Sequence, residues 1–169
     1  MPAMIKIGDT VPDATLYETT EFGEACPLNP APVKVADSLK GKKVVVFGLP
    51  GAFTPTCSAK HVPGYLANLD ALKKAGVNEV WCVLVNDGFV MAAWGRDEKA
   101  IGRIRFLGDG SGDFAKKLGL DADLSGFGMG LRMQRFSMLV DNGVVKQLNV
   151  EQKGTFEVSN AETMLKQVA

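Results

Sequence analysis

The chain has few of the residues on which metal sites and disulfide frameworks depend. Its 169 residues include three cysteines and a single histidine, His61. The cysteines, Cys26, Cys57 and Cys82, form no CxxC pair and no cluster with the histidine. The sequence therefore supports neither a disulfide framework nor a zinc site, and we expect no metal ion and no cofactor. If one of these thiols has a special role, that role must come from its chemical reactivity.

Net charge and long apolar runs are also missing. Nineteen basic residues balance nineteen acidic ones, so the chain has no electrostatic attraction to nucleic acid or anionic lipid. No stretch approaches the ~20 apolar residues of a membrane span. We expect no nucleic-acid partner, no membrane partner and a cytoplasmic location. A mature chloroplast or mitochondrial form, whose transit peptide has been removed, is the alternative.

The length and the 46% hydrophobic content predict a single domain over residues 1–169. Residues 43–48 and 80–85 are short apolar runs typical of strands buried on both faces. Between them, residues 55–75 have the apolar spacing of an amphipathic helix, with Pro63 predicting a kink. Strand, helix and strand in this order predict a right-handed parallel crossover.

The second half of the chain predicts an antiparallel addition to this sheet. Residues 135–140 and 144–150 flank an Asp-Asn-Gly turn, which is typical of a β-hairpin. The other expected elements are a loop at 19–34, a helix at 87–99, a strand at 104–107 and a C-terminal helix with a capping box from Ser159 to Glu162. The predicted fold class is α/β, with a mixed central sheet flanked by helices.

Cys57 occupies a position that favours a thiolate. Thr54 is a good N-cap and Pro55 suits the first helical position, so Cys57 falls at about the third position of the helix. Backbone N–H groups there lack partners within the helix and carry the positive end of its dipole, which stabilises a thiolate over a thiol. The sequence therefore predicts a reactive sulfur at Cys57.

The residues before Cys57 look like a redox CxxC turn in which threonine replaces the first cysteine. The Thr54 hydroxyl can hydrogen-bond to the sulfur or to the molecule that the sulfur attacks. Pro50 and Phe53 would shield the pocket, which favours small polar electrophiles. His61, four residues after Cys57, suggests a Cys–His dyad, but no orienting carboxylate is evident, and a role in pocket electrostatics or simple exposure is preferred.

Four ordered blocks resemble the peroxiredoxins of type II, the peroxiredoxin-5 subfamily. The first is PGAFTPTCS with the preceding VVVFGLP, which matches the Pro-x-x-x-Thr-x-x-Cys motif of that family. The others are VNDGFVMAAWG at 85–95, FLGDGSGDFAKKLGL at 106–120 and RFSMLVDNGVVKQLNVE at 135–151. Together they cover nearly the whole chain past residue 40.

The resemblance implies a thioredoxin-like fold and a thiol peroxidase that reduces hydrogen peroxide and small alkyl hydroperoxides. Cys57 matches the peroxidatic cysteine, Thr54 its hydroxyl partner and Pro50 the pocket wall. The family arginine matches Arg135, and Arg132 is the second choice. The resemblance also implies a homodimer through the active-site loops and the helix at 87–99, to which the loop at 126–131 is a further candidate contributor.

The segment after residue 151 departs from the animal members because it has no resolving cysteine. It resembles the plant-type members, which implies glutathione, a glutaredoxin or thioredoxin as the reductant. Cys82 is expected to pack as a small hydrophobe and Cys26 to be an unreactive surface thiol. Two alternatives stay open: a redox-sensing or chaperone-like partner protein oxidised once at Cys57, and a glutaredoxin-like disulfide exchanger, against which Thr54 argues.

Overall fold

A seven-stranded mixed sheet organises the chain, which is seen in a computed structural model that describes residues 3–168 apart from the side chain of Cys57. The strands are β1 (Thr15–Glu18), β2 (Glu21–Phe22), β3 (Pro27–Leu28), β4 (Ala31–Lys34), β5 (Lys43–Gly48), β6 (Glu79–Leu84), β7 (Arg105–Gly108), β8 (Asp121–Asp123), β9 (Leu131–Met133), β10 (Phe136–Asp141) and β11 (Val144–Val150). The main sheet has the order β11-β10-β5-β6-β7-β1-β4.

Six α-helices accompany the sheet. They are α1 (Val35–Leu39), α2 (Val62–Ala67), α3 (Leu69–Lys74), α4 (Gly88–Asp97), α5 (Asp113–Leu118) and α6 (Ala161–Val168), with a π-helical turn at Cys57–His61 and a 3-10 turn at Ser125–Phe127. In the part of the chain that the structure describes, no helix is long and apolar enough to cross a bilayer.

The predicted mixed sheet is confirmed. Strands β5, β6 and β7 run parallel, whereas β10 and β11 add antiparallel at one side and β1 and β4 at the other. Alternate residues of β5 face two separate apolar cores: Val44 and Val46 pack with α1 and α5, and Val45 and Phe47 pack with α2, α3, α4 and α6. Burial on both faces is why this strand reads as a continuous apolar run.

Several short elements differ from the predictions. The stretch at 19–34, expected to be a loop, contains β2, β3 and β4, and β4 pairs with β1 along the edge of the main sheet.

The predicted hairpin is confirmed, with Asn142 and Gly143 at φ 49 and 81, the left-handed conformation that a tight turn between antiparallel strands requires.

The predicted capping box of the C-terminal helix is wrong. The Asn160 side chain caps α6 instead, because its Oδ1 accepts a hydrogen bond of 2.8 Å from the backbone N–H of Thr163. Ser159 is buried, and its hydroxyl donates to the Glu151 carboxylate at 2.7 Å. Ser159 therefore belongs to a buried polar cluster and not to the helix cap.

The antiparallel pairing of β10 with β5 fixes the position of Arg135. Phe136, the first residue of β10, pairs with Gly48, the last residue of β5. A Cβ on Gly48 would lie 2.6 Å from Met133 Sδ and 2.9 Å from the Val83 carbonyl oxygen, so a larger residue would push these segments apart. The close pairing brings Arg135 to the same edge of the sheet as the turn that follows β5.

Candidate active site

Cys57 lies in the first turn of the helical segment that follows β5. The helix begins at Pro55, and the Ser58 N–H donates to the Thr54 carbonyl oxygen at 3.0 Å, which closes its first turn. A π-helical turn, Cys57–His61, precedes α2, and Pro63 lies in the first turn of α2, where the expected kink stays a prediction. The expected contacts and ionisation of the Cys57 thiol lie outside the described residues.

The turn between β5 and this helix is tied down by polar contacts. The Thr54 hydroxyl donates to the Gly51 carbonyl oxygen at 2.8 Å, and the Ala52 N–H donates to Asn86 Oδ1 at 3.1 Å. Phe53 has a φ of 64, a conformation that costs a non-glycine residue energy. Its ring is exposed and lies 6.5 Å from that of Trp94, so its expected shielding of the pocket stays a prediction.

A cavity of about 470 Å³ opens beside this turn. Pro50 and Thr56 line it from the turn and the first helical residues, and Arg135 and Phe156 line it from the opposite side. The other lining residues are Asp121, Ala122, Asp123, Leu124, Met133, Gln134, Glu151, Gln152, Lys153, Gly154 and Thr155. The structure thus brings Pro50 and Arg135, 85 positions apart by their numbers, onto one small cavity next to the Cys57 backbone.

Both arginines singled out in the sequence reach this region. Arg135 places Nη1 3.0 Å from His61 Nδ1, and its guanidinium carbon lies 5.7 Å from the centre of the Phe156 ring. Arg132 donates from Nε to the Met129 carbonyl oxygen at 2.9 Å and from Nη1 to the Pro50 carbonyl oxygen at 3.5 Å. Arg132 therefore braces the backbone of the turn, while Arg135 lines the cavity.

His61 is fully buried, which contradicts the expectation of simple exposure. Its Nε2 lies 3.1 Å from the Ser159 carbonyl oxygen, and its Nδ1 faces Arg135. Burial, together with the positive charge of Arg135, lowers the pKa of His61 to about 3. Because both nitrogens of the buried ring are engaged by Ser159 and Arg135, His61 is not available to accept a proton from a thiol, which argues against the Cys–His dyad.

Glu151 organises the segment that holds His61, and no local pattern in the sequence indicates this role. Its carboxylate accepts backbone hydrogen bonds from Glu157, Val158 and Ser159 at 2.7–2.9 Å. Burial alone would raise its pKa, but the hydrogen bonds from Ser159, Glu157 and Val158 outweigh it and lower the pKa to about 2. Glu151 thereby holds the Ser159 carbonyl oxygen in place.

The two other cysteines have the burial that was predicted for them. Cys82 is fully buried in β6, opposite Phe47 of β5 and within the apolar core under α2 and α4. Cys26 is exposed in the segment between β2 and β3. Trp94 donates from Nε1 to Ser58 Oγ at 3.0 Å, so an indole lies beside the residue that follows Cys57 and provides a fluorescence signal for changes there.

The low pKa of His61 predicts that the protein loses stability as the pH falls from 7 to 5. The unfolded chain takes up a proton at His61 near its ordinary pKa of 6.5, whereas the folded protein does so only near 3. The unfolding free energy should therefore drop by about 2 kcal/mol over this range. Urea unfolding at each pH measures it.

His61→Gln is the matched control, because glutamine does not titrate. Glu151, whose pKa is also lowered, loses its stabilising effect only as the pH falls below the ordinary carboxyl range, so it does not mask the signal. The same pH dependence in wild type and His61→Gln would show that His61 is not the responsible group.

Comparisons with known proteins identify the family to which this chain belongs. The redoxin family matches residues 6–165. Peroxiredoxin-2D of Arabidopsis thaliana is 46% identical over 97% of this chain and 98% of its own. The structure of reduced Prx3 from Vibrio vulnificus in complex with hydrogen peroxide is 49% identical and covers 98% of this chain and 100% of its own, with a TM-score of 0.90.

A third similar structure carries a different name. A Burkholderia cenocepacia protein, provisionally named a thioredoxin reductase, is 53% identical over 97% of this chain and 98% of its own, with a TM-score of 0.92. That protein shares the fold over nearly its full length, so its different name does not count against the peroxiredoxin assignment. The chain belongs to the redoxin family and is a type II, peroxiredoxin-5-like peroxiredoxin with a thioredoxin-like fold, an enzyme that reduces peroxides with thiols.

Proposed function

We propose that Cys57 is the sulfur that peroxide oxidises, and that Thr54, Pro50 and Arg135 form its pocket. The observation that carries this proposal is the pairing of β5 with β10, which sets Pro50 and Arg135 around one cavity beside the helix start that bears Cys57. Hydrogen peroxide and small alkyl hydroperoxides are the proposed substrates. The complex of the Vibrio vulnificus relative with hydrogen peroxide supports the first of them.

The proposed reaction balances within this pocket. The Cys57 thiolate attacks one oxygen of the hydroperoxide, so that an S–O bond forms and the O–O bond breaks. The departing oxygen gains the electron pair and takes up a proton from solvent, leaving as water or an alcohol, and Cys57 becomes a sulfenic acid. Donors directed at the departing oxygen lower the barrier most, which is the proposed task of the Arg135 guanidinium.

Thr54 is suited to hold the substrate. Its hydroxyl hydrogen is given to the Gly51 carbonyl oxygen, so the oxygen can accept a hydrogen bond from the O–H of a hydroperoxide. This would present one peroxide oxygen to the sulfur in a fixed orientation. Pro50 supplies the apolar wall that limits the entry of water.

Substitutions at Cys57 and Thr54 should separate chemistry from orientation. We expect Cys57→Ser to abolish the oxidation step and Thr54→Val to slow it by about 100-fold, because valine keeps the shape and loses the acceptor. Thr54→Ser, which retains the hydroxyl, should stay close to wild type. Stopped-flow tryptophan fluorescence after mixing with hydrogen peroxide measures the step.

Two results would contradict the assignment. Oxidation that survives Cys57→Ser would place the reactive sulfur elsewhere. Equal oxidation rates for Thr54→Val and Thr54→Ser would show that the Thr54 hydroxyl has no part in the mechanism.

We also propose that an external thiol reduces the sulfenic acid, either glutathione with a glutaredoxin or thioredoxin. The first reductant thiol attacks the Cys57 sulfur and releases water, and a second thiol frees Cys57 by taking over the disulfide. Two facts support this: no cysteine follows residue 82, and Cys82 is buried beneath α2 and α4.

Turnover with each reductant tests this proposal and the redox-sensing alternative together. With glutaredoxin and glutathione, or with thioredoxin, we expect many moles of peroxide to be consumed per mole of wild type and of Cys82→Ser alike. Oxidation of one equivalent that then stops with every reductant would favour the sensor. Loss of turnover in Cys82→Ser alone would make Cys82 the resolving thiol.

The homodimer is proposed to form through the aromatic surface around α4. This α4 surface comprises Tyr17, Phe53 and Phe89, whose side chains are 44%, 54% and 50% exposed. Exposed aromatic residues clustered around one helix are typical of a protein interface.

Phe89→Asp should therefore convert the protein from twice the 18.0 kDa chain mass to that of one chain, because a charge replaces an apolar contact of the interface. Light scattering after size exclusion measures the mass. Ile7→Ser, at the opposite edge of the sheet, is the control, and Phe127→Ser measures the contribution of the loop at 126–131. A monomeric wild type, or a dimeric Phe89→Asp variant, would refute this interface.

A cytoplasmic location is the remaining proposal. Peroxiredoxin-2E of Arabidopsis thaliana is named as chloroplastic and is 44% identical over 97% of this chain, so an organelle is the alternative. Cell fractionation of the full-length gene product distinguishes the cytoplasm from an organelle.

A further inference from the structure

The buried ring of His61 joins two parts of the molecule that lie far apart in sequence. One nitrogen faces Ser159, 98 residues away, and the other faces Arg135, 74 residues away. The ring also contacts Phe47, Tyr65 and Phe156, with centroid distances of 4.8, 5.7 and 4.9 Å. Aromatic rings around it and hydrogen bonds at both nitrogens hold the imidazole in one orientation.

The two partners determine which nitrogen carries the hydrogen. A carbonyl oxygen only accepts, so Nε2 must donate to Ser159, and a guanidinium only donates, so Nδ1 must present its lone pair to Arg135. A doubly protonated ring would direct an N–H group at the guanidinium. Only the neutral Nε2–H tautomer therefore fits between these two neighbours.

The Ser159 carbonyl oxygen is itself held firmly. It also accepts a hydrogen bond of 3.0 Å from the Tyr65 hydroxyl, and the Ser159 N–H and hydroxyl both donate to the Glu151 carboxylate at 2.7 Å. A continuous series of hydrogen bonds thus runs from Glu151 through Ser159 and His61 to the Arg135 side chain that lines the cavity.

We propose that His61 is a positioning residue, which fixes the Arg135 guanidinium toward the reacting oxygen atoms by accepting a hydrogen bond from Nη1 at Nδ1. This inference rests on the proposed role of Arg135. A flexible arginine would spread its charge over several rotamers, whereas a guanidinium held at one nitrogen is preorganised for the charge that develops in the transition state. His61 itself touches neither the peroxide nor the sulfur in this proposal.

Asparagine and glutamine at position 61 distinguish the roles of the two ring nitrogens. The amide oxygen of asparagine can lie where Nδ1 is, and so can still accept from Arg135, whereas the amide nitrogen of glutamine can lie where Nε2 is, and so keeps only the Ser159 contact. We expect His61→Gln to slow oxidation by hydrogen peroxide about 10- to 100-fold and His61→Asn to stay close to wild type. Urea unfolding compares the stability of the two variants.

A double-mutant cycle with Arg135→Met tests whether His61 acts through that arginine. Once Arg135 is methionine, His61→Gln should cause no further loss, because the two changes remove the same interaction. A normal rate in His61→Gln, or an equal loss with and without Arg135, would overturn the inference while leaving the role of Arg135 intact. A normal rate in Arg135→Met would overturn both the inference and the proposed role of Arg135.

The single histidine permits a second test that does not depend on how the variants fold. Nitrogen NMR of wild type labelled with ¹⁵N-histidine, and carrying no histidine tag, should show one imidazole with its hydrogen on Nε2 and no titration from pH 8 to 5. The charged or titratable groups near the ring are Arg135, Tyr65 and, beyond Ser159, Glu151. A hydrogen on Nδ1, or a titration midpoint near the ordinary value for histidine, would overturn the inference.

Discussion

The antiparallel pairing of β5 with β10 is the constraint on which the site depends. It sets the last residue of β5 opposite the first residue of β10, so the turn that leads to Cys57 and the arginine that precedes β10 meet at one edge of the sheet. Gly48 permits this approach, because a side chain there would collide with Met133 and Val83. The position of Arg135 is therefore a consequence of strand register, in which a slip of one residue would move its side chain to the other face.

The proposed site also requires that the Arg135 side chain be held in one orientation. The C-terminal part of the chain provides the contacts for this. Glu151 folds the segment 155–159 around its carboxylate, which places a carbonyl oxygen under His61 and a phenylalanine ring beside Arg135. Desolvating a carboxylate and an imidazole costs free energy. The explanation that we propose for this buried polar series is the orientation that it imposes on the guanidinium at its end.

Much of this arrangement could be predicted from the sequence because its signals are local. The apolar run of β5, the Thr54-Pro55 helix start and the Asn142-Gly143 turn each depend on residues within a few positions of one another. The short strands β1 to β4 were missed because they are small, partly polar and stabilised by pairing with distant segments. His61 was noticed for its spacing from Cys57, but its contacts could not be predicted, since Ser159 and Arg135 reach it only through the tertiary fold. Glu151 was missed, and Ser159 was assigned to a helix cap, for the same reason.

The central claim is that one of three sulfurs is the reactive one, and direct trapping of the oxidised sulfur tests it most simply. The reduced protein is mixed with one equivalent of hydrogen peroxide in the presence of a cyclic dione that captures sulfenic acids, and peptide mass spectrometry locates the adduct. The account predicts that the adduct forms at Cys57, with Cys26 and Cys82 recovered as thiols. An adduct at Cys26 or Cys82 while Cys57 stays reduced would contradict it.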